Sequence, residues 1–321
     1  MTNWTATDLP ALDDHTVVVT GANSGLGFEG TRLFADAGAT VVMACRSVDR
    51  GDRAATEIRA AVDGAPDLDV RECDLASLAS VSAFAEGIRD TYDAVDVLCN
   101  NAGIMAIPRR ETAEGVEMQL GVNHVGHFAL TGRLFPLLAD GDRQARVVTQ
   151  SSGLHERGEM DFSELNWEDS YDKWDAYGRS KLANLLFAYE LQRRLDATDR
   201  DDVLSVACHP GYADTNLQVR TAEASGSRLW TIGMRVANRL FAQSAAQGAL
   251  PMLYAATADV GGGAYVGPGG LFDMRGAPEV QTSSDASYDE SDARRLWERS
   301  VELTGVTYPF DQAESSSPGL A

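Results

Sequence analysis

The chain has 321 residues, 44% of them hydrophobic, which is enough to bury a large core in one large domain or two. Its net charge of −21 argues against nucleic acid or an anionic membrane as a partner, because both are polyanions and no basic patch offsets the excess. The N-terminal stretch has neither a basic region nor an apolar one, and no run approaches the roughly 18 apolar residues of a membrane span, so a soluble, cytoplasmic protein is expected.

Residues 16–20 (TVVVT) are a short β-branched run ending at Gly21, and the glycine-rich turn that follows leads into an apolar pattern through Phe28, Leu33, Phe34 and Ala37. This reads as strand, turn and helix. Residues 40–45 (TVVMAC) are a second strand, 51–62 a second helix and 70–73 a short third strand. Ser77 is placed to cap a helix whose Leu78, Val81, Phe84 and Ile88 recur at three and four. Residues 95–99 are a fourth strand, and a long helix carrying Asn123 is expected from about Ala113 to Leu138. Residues 146–151 and 204–208 are a fifth and a sixth strand, and 264–267, between glycine-rich stretches, a short seventh.

Strands alternating with helices imply right-handed crossovers and a parallel sheet covered on both faces, a doubly wound α/β fold. No linker interrupts the series, so a single domain is expected over residues 1–310, followed by a disordered tail at 311–321. Cys45, Cys73, Cys99 and Cys208 show no spacing suited to zinc. Three of them end apolar runs, which predicts buried thiols and not disulfides.

Two places carry chemistry. The first is Gly21-x3-Gly25-x-Gly27, which follows a strand and opens a helix, the context in which glycines let a backbone approach a pyrophosphate. The second is Tyr177 and Lys181, four residues apart at the start of a segment with apolar Leu182, Leu185, Leu186 and Tyr189. On a helix that spacing brings both onto one face, about 5 to 6 Å apart. Of 27 basic residues only Lys173 and Lys181 are lysine, and chance would supply about 0.06 Tyr-x3-Lys pairs in such a chain. Bringing a phenol from near 10 to about 7 takes about 4 kcal/mol of preference for the anion, and a nearby ammonium is the expected source. Where NAD-binding folds often place an acid after the second strand, this chain has Arg46, a residue able to hold a 2′-phosphate. That favours NADP over NAD, although an ordinary surface arginine would look the same.

Thr20 to Gly27, Asp74-Leu75, Asn100 to Gly103, Asn123, Ser152, Tyr177 to Lys181 and Pro210-Gly211 stand in the order seen in the short-chain dehydrogenases/reductases, and the chain resembles that Rossmann-fold family over about residues 14–303. Ala44-Cys45-Arg46, the run VNHVGHF at 122–128, SKLAN at 180–184 and His209-Pro210-Gly211 are similar to its retinol dehydrogenase and protochlorophyllide reductase branch. The acidic excess with so little lysine also resembles proteins of salt-loving organisms.

The resemblance implies an enzyme that moves a hydride between NADP(H) and a lipophilic carbonyl or alcohol. Tyr177 would be the general acid and base, and Lys181 would depress its pKa and hold the nicotinamide ribose. Ser152 would bond the substrate oxygen, and Asn123 would position a water linking Lys181 to solvent. Spacing alone does not separate Ser151 from Ser152. Gly21, Asn23, Ser24, Gly25, Leu26 and Gly27 would cradle the pyrophosphate, with Arg46 on the 2′-phosphate. Asp74 and Leu75 would meet the adenine, although Asp74 also fits as a helix-entry acid. Asn101, Ala102, Gly103, Pro210, Gly211 and Thr215 would complete the cofactor site. His124 and His127 lack ligand partners at metal spacing and read as structural, so no metal is expected. Residues 153–176 and a lid near 212–241 could border the substrate, and core packing or a homo-oligomer interface explains the apolar residues of 221–241 equally well. The alternative is a dinucleotide-binding regulator without turnover, whose mark would be a broken catalytic set; here the set is whole.

Overall fold

The structure, a computed structural model, describes residues 4–139, 141, 143–198, 200–211, 244–270 and 273–311. Thr215, the stretch expected to be a lid and residues 312–321 lie outside them. Eight strands form one sheet in the order β3-β2-β1-β4-β5-β6-β7-β8. They are β1 (Thr16–Thr20), β2 (Thr40–Cys45), β3 (Leu68–Glu72), β4 (Val97–Asn100), β5 (Ala145–Gln150), β6 (Val203–Cys208), β7 (Tyr265–Pro268) and β8 (Pro278–Gln281). The first seven pair in parallel, while β8 runs antiparallel to β7.

Alternation along the strands supplies two faces. Val17, Val19, Val41 and Met43 point to one core layer with Phe34, Ile58 and Met252. That layer is covered by helices α1 (Gly25–Asp36), α2 (Val48–Ala61) and, later in the chain, Ala245–Thr257. Val18, Val42, Leu98 and Val147 point to the other, with Phe84, Phe128, Leu191 and Trp297. Its covering helices are α3 (Leu78–Arg89), α4 (Gly126–Ala139), α5 (Lys173–Ala197) and a final helix, Glu290–Thr304. Numbered in order, Ala245–Thr257 is α6 and Glu290–Thr304 is α7. Strand order reverses between β1 and β4, so the turns after these two strands open side by side into the crevice where doubly wound sheets bind ligands.

Among the described residues an eighth strand joins the seven expected: β8 carries Pro278 and Glu279, has no apolar run of its own, and exists because β7 supplies a ladder partner. One expectation needs correction. The long helix does not begin at Ala113. Thr112 N–H bonds Val116 O, Met118 N–H bonds Arg110 O, and Gly115 has φ +78°, so residues 110–118 fold back as a tight loop. The helical path starts at Met118, where the Glu117 carboxylate accepts from Leu120 N–H, and passes through a π turn at Gly121–Val125 before α4. A π turn inside a helix often marks a functional position, and Asn123 lies within this one.

Candidate active site

The glycine turn is built from backbone. Gly21 and Gly25 hold φ of +69° and +58°, where a side chain is strained. A Cβ on Gly27 would overlap Gly21 O and come 2.6 Å from Asn101 Nδ2, so the start of α1 presses directly on the turn. Asn23 lies within the turn, Ser24 is the N-cap of α1 without a side-chain capping bond, and Leu26 is in the first helical turn. Amide N–H groups at such a helix start suit an anion.

The neighbouring turn, Asn101 to Gly103, is tied to it through Thr20. Asn101 Nδ2 donates to Thr20 O at 2.7 Å, and the Asn101 and Ala102 amides both donate to Thr20 Oγ1 at 2.9 Å. His127 lies behind, its Nδ1 on Asn123 O and its Nε2 on Thr20 Oγ1, each at 2.9 Å. Burial pulls His127 down to about 4, so the ring is neutral and fixed as the Nδ1–H tautomer. His124 bonds Ser300 Oγ and packs on Phe128 and Phe187, and burial pulls it down to about 3. Both histidines are core residues. Among the described residues no group of three or more His, Cys, Asp and Glu could hold a metal ion. The four cysteines are free and buried.

Arg46 stands exposed just past β2, one strand over from the glycine turn. Asp74 caps its own turn, accepting from Ala76 N–H at 3.0 Å, while Leu75 is buried with its side chain in the core. Gly211 follows β6 with φ +63°, next to Pro210.

At the other end, α5 starts at Lys173 behind Asp172, whose carboxylate accepts from the Trp174 and Asp175 amides. Tyr177 and Lys181 sit one turn apart, with Nζ 5.8 Å from the centre of the phenol ring. Lys181 Nζ donates to Gln150 O at 3.0 Å, and Asn184 Nδ2 donates to the same carbonyl. A Cβ on Gly103 would lie 3.4 Å from Lys181 Nζ and 3.3 Å from Asn123 Oδ1, so the turn after β4, the π turn and α5 meet at one point. Asn123 is held there: it accepts from Ile104 N–H, and its Nδ2 donates to Ile104 O and to Ser180 Oγ.

The two serines after β5 face different ways. Ser151 is buried and donates to Lys181 O at 2.9 Å, a structural bond. Ser152, half-buried, accepts from Leu154 N–H, and its hydroxyl lies close enough to the Tyr177 phenol to lower its pKa. Met105 and Ala106, buried, and Trp174 pack against the Tyr177 ring, so the phenol lies between polar strand ends and an apolar wall.

The electrostatics differ from expectation. Burial pushes Tyr177 up to about 12, opposed by the nearby Ser152 hydroxyl, and pulls Lys181 down to about 8. Desolvation outweighs the attraction between phenolate and ammonium that spacing suggests. At neutral pH the tyrosine therefore keeps its proton and the lysine is mostly charged.

Some site residues escape sequence reasoning. Glu117, buried, accepts from Tyr171 Oη, and Gln119 joins Ala106 N–H to Tyr171 Oη and Lys173 O, fastening the apolar wall to the start of α5. Their only signal is polar residues on an otherwise apolar segment.

The model of the short chain dehydrogenase family matches residues 15–226. Human retinol dehydrogenase 13 is 38% identical over 299 residues, covering 92% of this chain and 86% of its own. Mouse polyprenol dehydrogenase is 38% identical over 306 residues, covering 93% and 86%. The crystal structure of an uncharacterised protein from Mycobacterium paratuberculosis superposes with a TM-score of 0.79 at 42% identity, over 96% of this chain and 100% of that one. With this match behind a doubly wound sheet and a Tyr-Lys pair, the chain belongs to the short chain dehydrogenase family and is an NAD(P)-dependent oxidoreductase of alcohol and carbonyl groups.

Proposed function

We propose that the protein interconverts a lipophilic carbonyl compound and its alcohol with NADP(H), Tyr177 acting as general acid and base. The observation that carries this reading is the placement of the Tyr177 phenol one turn from Lys181 and against Met105, Ala106 and Trp174, with the Ser152 hydroxyl nearby. A phenol held near 12 is protonated at pH 7 and can give its proton to a carbonyl oxygen as negative charge develops there. Ser152 would donate a hydrogen bond to the same oxygen, and Lys181 would stabilise the phenolate left behind. Asn123 would order the water path from Lys181.

The residues present fit a dinucleotide, since the glycine turn leaves no room for side chains and Arg46 stands exposed at the end of β2. Gly21, Asn23 to Gly27, Asn101 to Gly103, Asp74, Leu75, Pro210, Gly211 and Thr215 would hold it, and bound NADP(H) supplies the hydride. Arg46 supports the preference for NADP, because a guanidinium matches a phosphate in charge and geometry. The relatives named for retinol and polyprenol, both long apolar alcohols, support a lipophilic substrate.

NADPH oxidation against a panel of medium- and long-chain aldehydes and ketones tests the reading. Tyr177→Phe is expected to lower kcat by about 10² to 10⁴ with the fold retained. Equal rates in both proteins would refute the assignment, and tighter binding of NAD than of NADP would refute the role of Arg46.

A further inference from the structure

A pair of buried histidines outside the catalytic set lies directly behind it. His155, in the short 3-10 turn Gly153–Arg157 that follows Ser152, has Nδ1 2.7 Å from Ser152 O, and its Nε2 receives Ser284 N–H at 3.1 Å. The amide can only donate, so Nε2 must carry a lone pair and Nδ1 the single proton. The ring is 3% exposed and packs edge-on against Tyr265 of β7. It bridges the serine that touches Tyr177 to the segment after β8, a part of the chain 129 residues away.

His209, at the end of β6, is held in the other tautomer. Its Nδ1 receives Gly211 N–H and its Nε2 meets Gln281 Oε1 of β8 at 2.9 Å. A Cβ on Gly267 would overlap this ring, so β7 is cut away to let it reach β8. The charged and titratable groups facing the two rings are each other, Glu156, Asp273 and Tyr265.

We propose that His155 is a positioning residue: as the neutral Nδ1–H tautomer it holds the Ser152 backbone so that the Ser152 hydroxyl meets Tyr177, and a second proton on the ring undoes this. Protonation would set Nε2–H against Ser284 N–H and detach the strap after β8 from the serine loop. Burial lowers the affinity of the ring for that proton, so the neutral form prevails at pH 7 and the loss lies on the acid side, below the ordinary 6.5. The inference rests on Ser152 acting as proposed above, whereas the geometry of His155 stands without it.

The test measures kcat and KM from pH 8 to pH 5 in the wild type, His155→Ala and His155→Asn, with unfolding midpoints alongside. His155→Ala is expected to lose about tenfold or more in kcat at pH 7.5 with KM for NADPH unchanged, since misplacing a catalytic hydroxyl slows chemistry more than binding. His155→Asn can still donate to Ser152 O and cannot titrate, so it should recover the rate and shift the acid limb to lower pH. Rates and pH profiles of both variants that superpose on the wild type would overturn the proposal, as would an Asn variant that recovers no more rate than Ala. Should His155→Ala not fold, imidazole ¹H–¹⁵N spectra of the wild type decide: an Nδ1–H tautomer for His155 whose protonation tracks the loss of kcat supports it, and an Nε2–H tautomer overturns it. A wild type inert toward every carbonyl compound would count against the proposed function, while the spectra would still report on His155.

Discussion

The two ends of the site are made of different materials. The proposed cofactor end is backbone: positive-φ glycines, a close approach of α1 to its own turn, and Thr20 collecting two amides from the next strand end. The proposed proton-transfer end is side chains, several of them buried, such as Ser151 on Lys181 O and Lys181 on Gln150 O. A backbone cradle is fixed by shape and holds its ligand through many weak donors, so single side-chain changes there act sterically. A buried side-chain cluster carries charge at a cost in stability, so changes there separate function from folding.

The most severe way to break the first end is Gly27→Ala. The new methyl has nowhere to go between Gly21 O and Asn101 Nδ2. We expect NADPH affinity to fall by about a hundredfold or more and stability by about 1 to 3 kcal/mol, read by fluorescence titration and by denaturant unfolding. Normal NADPH binding in this variant would mean that the cradle is plastic and the contrast false.

Lys181→Met sharpens the contrast at the second end. Burial lowers Lys181 from 10.5 to about 8, so the folded state resists the charge that the unfolded state carries freely. The penalty is fully present below pH 8 and is relieved as pH rises from 8 toward 10.5, because there only the unfolded chain keeps the proton. Removing the ammonium should abolish most activity yet stabilise the protein by on the order of 3 kcal/mol at pH 7, with the gap between variant and wild type closing above pH 8. A less stable variant at pH 7 would show that the bond to Gln150 O outweighs desolvation.

The smallest expected effect is the most selective. Ser151→Ala should cost about 1 kcal/mol, the worth of one buried hydrogen bond, and leave kcat within about twofold. Ser152→Ala should leave unfolding almost unchanged and reduce kcat by about 10². A reversed pattern would exchange the roles of the two serines.

Much of this was legible in the chain. Seven strands announce themselves as apolar runs of the right length, and Val17, Val18 and Val19 alternate between the two faces as a covered strand must. The glycine turn and the Tyr-Lys pair are local, since each needs only its own few residues and the helix beside it. β8 was not legible, because Pro278 and Glu279 carry no strand signal and the pairing partner lies in β7. The start of the helical path was misread because residues 110–118 are shaped by the loop's own folding back and by Asn166, which receives Glu117 N–H.

By itself, the sequence determined the layered sheet, the glycine turn that opens α1 and the pairing of Tyr177 with Lys181 on one helical face, because these follow from periodicity, from the freedom of glycine and from helical spacing. Only the tertiary structure decided that Ser151 is tied to Lys181 O, that Tyr177 is raised and not lowered, and that His155 joins Ser152 to the segment after β8. Each of those depends on depth of burial or on a hydrogen-bond partner far away in the chain, and neither is a property of any short stretch of residues.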